Sequence, residues 1–480
     1  MAGLDNIETI VLLMLENRSF DHMLGFLYDA ANPPPRGQPF DGLTGAETNP
    51  DENGNPVQVF KITPQTPNAY YMPGADPGEG YYATNIQLFG SQNAPSAPPT
   101  PAASNQGFVV NFAQTLAKHA NNRSWTIKPG TTASSIMGVF TPQMLPILSG
   151  LAQGYAVSDA WFASAPTETL PNRAFTGVAT SQGHLDDTTK IFTSPSIFSA
   201  LSRKGRTWAV YGYTQQAYAR QDFPDITNAP DANFGLFADF QAAAAAGKLA
   251  NYVFLEPSWS EAGNSQHPVG NVALGEQLLH DVYYALRNSP QWAQTLLIVT
   301  YDEHGGNFDH VPPPWTATPP DASVGEFGFG FDRFGVRVPA VFVSPWIEAG
   351  TVIRASGTVP FDHTSVLKTL ELKWGLAPLT ARDKAAPDLS GLFTLTAART
   401  DDPLQGVAVP VAAPSTPPSG APNKLQRGLA ELVARLPATD AAGHLDDELP
   451  ELHTSQEYDD FINRKTEAWR IAKARPPGKP

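Results

Sequence analysis

Two continuous apolar runs constrain the fold of this chain more than any other feature of its sequence. "IETIVLLML" covers residues 7–15, and "TLLIVT" covers residues 295–300. Apolar runs of strand length without polar alternation are typical of strands buried on both faces, as in a parallel sheet. Acidic residues follow each run directly, at the carboxyl end of the strand, where α/β proteins gather their ligands.

Further apolar runs alternate with amphipathic stretches along the chain. This alternation predicts an α/β fold with a largely parallel central sheet. The predicted strands are "TWAVYG" (207–212), "LANYVFLEP" (249–257) and "RVPAVFVSPW" (337–346), and the predicted helices are "SIFSALSRKG" (196–205), "NVALGEQLLHDVYYALRNSPQW" (271–292) and "DHTSVLKTLELKWG" (362–375).

The composition along the chain predicts three parts. Residues 1–398 form a catalytic domain, in which residues 33–106, dense in Pro, Gly and Asn, are a loop-rich insertion that is either a lid or surface decoration. Residues 399–422 are a Pro/Ser/Ala-rich linker. Residues 423–480 form a helical C-terminal tail that carries no catalytic cluster. We expect the tail to be dispensable for chemistry and to pack on the main domain or contact a partner.

Charge and residue usage exclude several classes of function. The net charge of −15 argues against a nucleic-acid partner, which needs a basic surface. The absence of cysteine excludes disulfides, thiolate metal sites and cysteine nucleophiles. The N-terminus does not resemble a signal peptide, and no apolar run approaches the roughly 20 residues of a membrane span. The sequence therefore predicts a soluble chain without a transmembrane segment, either cytoplasmic or exported without a conventional N-terminal signal unless one was trimmed.

Oxygen ligands follow both apolar runs. Glu16 and Asn17 end the first run, and Asp302 and Glu303 end the second. Two buried like charges repel unless a cation neutralises them, and hard divalent cations prefer carboxylate and amide oxygens. The alternatives are a loop in which Glu16 pairs with Arg18 and a solvated acidic turn at the second run.

Histidines accompany the acids of the second run. "YDEHGGNFDHVPPP" contains two imidazoles and two glycines, Gly305 and Gly306, which allow a sharp turn and close backbone approach. Two more histidines stand at or just before predicted helix starts, where a lone histidine is usually structural. The four candidates are His267, His304, His310 and His363.

A hydroxyl group stands before a predicted helix in "APTETLPNRAF". Proline is favoured at the first helical position, so the helix is predicted to start near Pro171 and to leave Thr169 at its N-terminus, where anions bind. Asn172 and Arg173 offer donors that can grip phosphate oxygens. The alternative is that Thr167 or Thr169 is only a helix cap.

Together these residues predict a site for phosphoryl chemistry. A cation on the four oxygen ligands would lower the pKa of a nearby hydroxyl and neutralise a phosphoryl oxygen. Thr169 could then attack phosphorus. The histidines could protonate the leaving oxygen and later activate water.

Four motifs carry a resemblance to a known family. In chain order they are "ENRSFDHMLG", "FTPQMLPILSGLAQGYAVSDAWFASAPTETLPNRAF", "YDEHGGNFDHVPPP" and "DHTSVLKTLE", which extend across residues 8–375. They resemble the phosphoesterase family of bacterial and plant phospholipases C and related acid phosphatases.

The resemblance implies an alkaline-phosphatase-like α/β/α sandwich, and the helical patterns after residue 422, which lie outside the resemblance, add a small C-terminal helical region. It implies one divalent metal ion, Ca²⁺, Mg²⁺, Mn²⁺ or Zn²⁺, held by Glu16, Asn17, Asp302 and Glu303. It also implies that Thr169 is both the nucleophile and a metal ligand. The four candidate histidines would line the site, without a division of acid, base and phosphate-binding roles among them.

The chain departs from the family pattern at one point. Many members carry an Asp-x-Gly-His stretch between the first two motifs, and this interval of the chain, which ends in "SNQGFVVNF", has none. The departure leaves hydrolysis of phosphate monoesters open.

Three functions therefore compete. The first is a phospholipase C that cuts glycerophospholipids on the diacylglycerol side, the second a broad-specificity acid phosphatase, and the third a catalytically weak cation-binding interaction protein. Their substrates are phospholipids or phosphate esters. Tyr70, Tyr71, Tyr81 and Tyr82 could meet a lipid interface peripherally or serve only loop packing.

Overall fold

The structure is a computed structural model that describes residues 2–100, 102–120, 125–260, 262–411, 422–437 and 448–474. Its strands are β1 (Thr9–Leu15), β2 (Thr48–Pro50), β3 (Pro56–Gln58), β4 (Phe60–Lys61), β5 (Gly138–Val139), β6 (Ala156–Ser158), β7 (Trp161–Phe162), β8 (Trp208–Gly212), β9 (Phe234–Leu236), β10 (Tyr252–Leu255), β11 (Thr295–Tyr301), β12 (Ala340–Val343), β13 (Thr351–Val352) and β14 (Phe361–Asp362).

The α-helices of the described residues are α1 (Ala2–Asp5), α2 (Phe20–Leu24), α3 (Tyr81–Phe89), α4 (Phe108–Ala120), α5 (Pro146–Gly154), α6 (Thr169–Val178), α7 (Ile197–Arg203), α8 (Ala219–Asp222), α9 (Pro224–Thr227), α10 (Phe237–Ala245), α11 (Val272–Arg287), α12 (Thr364–Trp374), α13 (Ala381–Ala385), α14 (Lys424–Ala434) and α15 (Ser455–Ala474). Short 3-10 helices connect several of these elements.

The central sheet has eight strands in the order β13-β6-β12-β11-β1-β10-β8-β9. β12 runs antiparallel to its neighbours β11 and β6, and the other paired strands of this sheet are parallel. The predicted largely parallel sheet is confirmed.

The two apolar runs are neighbouring strands at the centre of this sheet. Every residue of β1 and of β11 is buried, as continuous apolar runs predict. Their register places Leu15 opposite Tyr301, so both strands end at the same level. Residues 16 and 302 therefore leave the sheet side by side, although 285 residues separate them along the chain.

Helices cover the sheet in two layers, and the predicted α/β/α sandwich is confirmed. In one layer α11 packs against α5 and α10, and in the other α6 packs against α7 and α12. Local signals fix the helix ends. The Asn271 side chain accepts a hydrogen bond from Ala273 N at the start of α11, and Gly375, in the left-handed region at φ +63°, ends α12.

The predicted C-terminal helical region is also confirmed. Helix α14 packs against α15 and against α8 of the main body. Residues 412–421 of the predicted linker lie outside the described residues. Among the described helices, none combines the length and the apolar character that a membrane crossing requires.

Candidate active site

The first and third motifs meet at the ends of β1 and β11. Asn17 N donates to Asp302 Oδ1 at 3.0 Å, and Arg18 N donates to Glu303 O at 3.1 Å. Asp302 N in turn donates to Leu15 O at 3.2 Å. The parallel register thus brings the four predicted oxygen ligands together.

The double glycine forms the sharp turn that its sequence predicts. Gly305 and Gly306 have φ of +59° and +65°. A Cβ at Gly305 would overlap the carbonyl oxygen of Asn17, so only glycine fits this close approach. Asn307 Nδ2 donates to the same carbonyl at 3.0 Å, which ties the turn to the first motif.

The carboxylates that follow β1 and β11 are buried, and several of their oxygens make no hydrogen bond to the described residues. Both carboxylate oxygens of Glu16 and Oε1 of Glu303 have no hydrogen-bond partner among the described residues. Burial raises the pKa of Glu16 well above its ordinary value, and the Asp302 carboxylate raises it further. Burial, Glu79 and Asp302 likewise raise the pKa of Glu303. These unpaired carboxylate oxygens lie beside the Asn17 amide and the Thr169 hydroxyl. Together they fit the donor set of a hard divalent cation.

Thr169 lies at the N-terminus of α6, beside the first motif. The helix begins at Thr169, two residues before the predicted start, because Asp187 Oδ1 accepts a hydrogen bond from Leu170 N at 2.8 Å and caps the first turn. The Thr169 hydroxyl donates to Asn17 Oδ1 at 3.4 Å. The predicted nucleophile therefore adjoins the predicted metal ligands.

Asn172 and Arg173 were predicted to grip substrate, but their side chains are largely engaged within the protein. The Asn172 amide bonds the loop before Thr169, accepting from Ala165 N and donating to the carbonyls of residues 165, 167 and 168. Arg173 Nε donates to Asp302 Oδ2 at 3.0 Å. These contacts position Thr169 and Asp302, and Arg173 Nη1 has no partner among the described residues.

His304 and His363 are buried at the turn that contains Asp302 and Glu303, called here the acidic turn. His363 Nε2 donates to Asp302 O at 2.6 Å, and its burial lowers its pKa to about 4. His304 Nε2 donates to Gln87 Oε1 at 2.7 Å, while its Nδ1 lies 3.4 Å from Glu303 Oε2. Burial lowers the pKa of His304 to about 3. Both imidazoles are neutral near pH 7 and orient the backbone or side chains of the acids.

His267 is half-buried, and its imidazole, Asp76 and Glu79 contribute ligand atoms that lie within 4.8 Å of one another. Burial lowers the pKa of His267 to about 4. It is the most open of the three histidines near the acids.

His310, the fourth predicted histidine, is bonded to two aspartates. Its Nδ1 donates to Asp21 Oδ2 at 2.7 Å, and its Nε2 donates to Asp41 Oδ1 at 3.3 Å. Arg337 bridges Asp21 and Asp309 beside it, at 2.9 Å from each. Among the described residues, His310 makes no hydrogen bond to the predicted metal ligands or to Thr169. Its neighbours give it a place in a buried charge network.

The sequence reasoning missed three carboxylates at the site, Glu79, Glu168 and Asp187. Asn17 Nδ2 donates to Glu79 Oε2 at 2.5 Å, and Glu168 is the residue before Thr169. Glu79 stands in the loop stretch "DPGE", residues 76–79, which carries neither hydrophobic periodicity nor a histidine. Nothing in the local sequence marked Glu168 or Asp187.

Clusters of candidate ligand atoms occur at three places in the described part of the chain, each within 4.8 Å. Glu16, Asp302 and Glu303 do not form such a cluster there, and their oxygens are more widely spaced. The three clusters are Asp21 with Asp309 and His310, Asp76 with Glu79 and His267, and Glu79 with Glu168 and Asp187.

Comparison with protein families and curated proteins gives consistent matches. The model of the phosphoesterase family matches residues 7–377. Non-specific phospholipase C3 of Arabidopsis thaliana is 36% identical over 427 residues, which cover 83% of this chain and 75% of that protein. Phospholipase C A of Mycobacterium tuberculosis (strain ATCC 25618 / H37Rv) is 29% identical over 443 residues, which cover 81% of this chain and 78% of that protein.

Solved structures match at lower similarity. The lipoteichoic acid synthase LtaP from Listeria monocytogenes matches with a TM-score of 0.32 and 13% identity, over 70% of this chain and 87% of that chain. A protein in the alkaline phosphatase superfamily from Vibrio parahaemolyticus matches with a TM-score of 0.30 and 13% identity, over 53% of this chain and 66% of that chain.

Proposed function

Because the chain belongs to the phosphoesterase family and is a phosphoric ester hydrolase, we propose that it is a metal-dependent enzyme of the phospholipase C type. It acts on glycerophospholipids through a threonine nucleophile. The observation that carries this proposal is the Thr169 hydroxyl, 3.4 Å from Asn17 Oδ1, at a helix N-terminus beside unpaired buried carboxylates. The curated relatives named phospholipase C support the lipid substrate.

The residues that would hold one divalent cation are Glu16, Asn17, Thr169, Asp302 and Glu303. Bound there, the cation would favour the ionised Thr169 hydroxyl and offset charge on a phosphoryl oxygen. Arg173 holds Asp302 through Nε, and His363 holds the Asp302 carbonyl, so the protein fixes the ligand geometry in advance.

The reaction divides into two displacements at phosphorus. Thr169 Oγ1 loses its proton and bonds to phosphorus while the bond from phosphorus to the glycerol oxygen breaks, and the glycerol oxygen takes up the proton that Thr169 released and leaves as diacylglycerol. Water then attacks the phosphothreonine, releases the phosphorylated head group and restores the hydroxyl. The N-terminus of α6 faces the charge that develops on the phosphoryl oxygens.

His267 is the proposed proton carrier. It is half-buried, adjoins Glu79, and has a pKa lowered by burial to about 4. Its imidazole is therefore neutral near pH 7 and can accept a proton from the attacking water. His304 and His363 serve as positioning residues, because both are buried, His363 donates to Asp302 O, and His304 ties the turn to Gln87 of α3.

Glu79 favours a second candidate function, hydrolysis of phosphate monoesters. The interval between the first two motifs has no Asp-x-Gly-His stretch, and Glu79 in that interval lies beside His267 and accepts a hydrogen bond from Asn17 Nδ2 at 2.5 Å. A monoester with a good leaving group needs less protonation of its leaving oxygen than a lipid diester does.

Parallel assays of a phosphatidylcholine vesicle and an aryl phosphate monoester test these functions. Faster release of diacylglycerol supports the phospholipase, and faster release of aryl alcohol supports the phosphatase. Activity on neither substrate with any of the four candidate cations would favour a cation-binding protein instead.

Thr169→Ala should lower turnover by at least about 1,000-fold, because no other group replaces the nucleophile. Thr169→Ser should keep part of the turnover, because the oxygen survives. Thr176→Ala is the matched control, since Thr176 lies on the same helix, is equally buried, and bonds only to Arg173 O at 2.7 Å. Acid quench with labelled substrate should trap phosphate on the peptide that contains residue 169. A label on another residue would refute the mechanism.

A further inference from the structure

Three carboxylates adjoin the proposed nucleophile. Glu79, Glu168 and Asp187 each place an oxygen within 4.8 Å of the others. They are linked to the start of α6, because Asp187 Oδ1 accepts from Leu170 N and Glu168 Oε2 accepts from Asp187 N at 3.0 Å. We call them the carboxylate trio.

The carboxylate trio poses an electrostatic problem for the proposed reaction. The substrate is a phosphate ester, which is an anion, and it must approach Thr169 directly beside the trio. Like charges at such short range oppose binding, unless a positive charge offsets them. A cation on the five proposed ligands would lie among Glu16, Asp302 and Glu303, so it leaves the charge of the trio itself without a positive partner.

One side chain from the C-terminal tail supplies that positive charge. Lys424 Nζ lies 2.7 Å from Glu168 Oε2 and 3.1 Å from Asp187 Oδ2. Asp187 is 3% exposed, whereas the Lys424 side chain is 58% exposed. The ammonium group therefore covers the trio on its open side and remains accessible to an incoming ligand.

The helix that presents Lys424 is anchored to the main domain. Lys424 is the first residue of α14, and the Asn423 side chain caps that helix by accepting from Gln426 N. Leu429 and Val433 are fully buried on its inner face. The neighbouring α15 is fixed as well, since Asp459 Oδ2 accepts from Thr214 Oγ1 at 2.7 Å.

We propose that Lys424 is a positioning residue of the active site, which offsets part of the negative charge of the carboxylate trio and thereby admits the anionic phosphoryl group of the substrate to Thr169. This inference rests on the proposed function. It contradicts the expectation that the C-terminal tail is dispensable for chemistry, because the tail would complete the electrostatics of the site.

The test measures the Kd of inorganic phosphate for the full-length chain by titration calorimetry, in the presence of a divalent cation. Lys424→Gln keeps a hydrogen-bond donor but removes the charge, and should weaken phosphate binding about fivefold. Lys424→Arg should bind phosphate as the wild type does. High salt should reduce the difference between wild type and Lys424→Gln, because salt screens an exposed charge.

Lys190→Gln is the matched control. Lys190 Nζ lies 3.3 Å from Glu431 Oε2 and so links the same helix to the main domain without touching the trio. If Lys190→Gln weakened phosphate binding as much as Lys424→Gln does, the effect would come from the docking of α14 alone. That result would overturn the proposal. Unchanged binding in Lys424→Gln, or no phosphate binding in the wild type, would overturn it as well.

The test separates this inference from the proposed function, because phosphate is bound and not turned over. A wild type that hydrolyses neither substrate refutes the proposed function, while its phosphate Kd still tests Lys424. In an active enzyme, Lys424→Gln should raise KM for the aryl monoester more than it lowers kcat. If Lys424→Gln does not fold, Lys424→Met is measured in its place.

Discussion

Glu16 and Glu276 are two fully buried glutamates in different electrostatic surroundings. Both oxygens of Glu276 accept backbone hydrogen bonds, from Ile147 N at 2.7 Å and Leu148 N at 3.1 Å, at the start of α5. Glu16 has no such donors among the described residues and faces Asp302. The Glu276 arrangement serves structure, and the Glu16 arrangement is the one to which the proposed cation would bind.

This contrast predicts opposite effects of the same substitution. Glu16→Gln should raise the Tm of the metal-free protein, because it removes a buried repulsion, and should abolish the rise in Tm that a divalent cation produces in the wild type. Glu276→Gln should lower stability by about 1–3 kcal/mol, because it replaces an acceptor of two backbone donors, and should leave the cation-induced rise intact.

Thermal melts with chelator and with each candidate cation measure both effects. A cation-induced rise of the same size in Glu16→Gln and in wild type would remove Glu16 from the ligand set. If Glu276→Gln also lost the cation-induced increase in Tm, that increase would not depend specifically on the carboxylates at the ends of β1 and β11.

Among the secondary-structure elements, the turn at Gly305 and Gly306 after β11 sets the geometry of the site. Gly305→Ala should destabilise the protein by about 3 kcal/mol or more, since the added Cβ would overlap Asn17 O and φ is +59°. The shifted turn would also move Glu303, whose Oε2 accepts from Gly305 N, so activity should fall.

Urea unfolding checks this prediction, with Gly357→Ala as the control. Gly357 has no atom within 4 Å of an added Cβ, so its substitution should change stability by less than about 0.5 kcal/mol. Equal stability of Gly305→Ala and wild type would mean that the turn can relax and does not fix the site.

Strands and helices that are encoded by a short continuous stretch of sequence were predictable. Contacts between residues far apart along the chain were not. The strands β1 and β11 followed from continuous apolar runs, and the parallel fold then placed Glu16 beside Asp302. The start of α6 was misplaced by two residues because its cap, Asp187, lies 17 positions beyond Leu170. Glu79 stands in a loop without periodicity, which gives pattern analysis nothing to detect.

The whole molecule presents an exposed apolar patch formed by α3 and the 324–327 loop, near the active site. Tyr82, Phe327 and Val324 are 44%, 50% and 79% exposed, and the Tyr82 and Phe327 rings lie 4.7 Å apart. Tyr81 stacks beneath Phe327 at 5.5 Å and is buried. Of the four predicted interfacial tyrosines, Tyr82 is the exposed one, and we expect it to contact a lipid surface.

Replacing Tyr82 and Phe327 with serine should therefore slow hydrolysis of vesicle lipid several-fold and leave the rate on the soluble aryl monoester unchanged. The reason is that the patch would contact the bilayer and not the reacting phosphate. Sedimentation with phosphatidylcholine vesicles measures the binding directly. An equal loss on both substrates, or unchanged vesicle binding, would contradict this role.

The docking of the C-terminal tail could not be read from the sequence. Lys424 reaches Glu168 across 256 positions, and neither residue belongs to a periodic pattern that would pair them. Composition marks the segment before it as linker-like, which is correct for its residue types but silent on where the following helix lands.

The order of the sheet has a consequence for synthesis on the ribosome. β1 is made long before its two sheet neighbours, β10 and β11, because Tyr252 follows Leu15 by 237 residues. At ordinary translation rates, this seven-residue apolar strand waits on the order of 10 to 50 s before either neighbour emerges. During that time its backbone donors and acceptors are open to strands of other nascent chains, so production of this protein should depend on chaperones that bind the β1 segment.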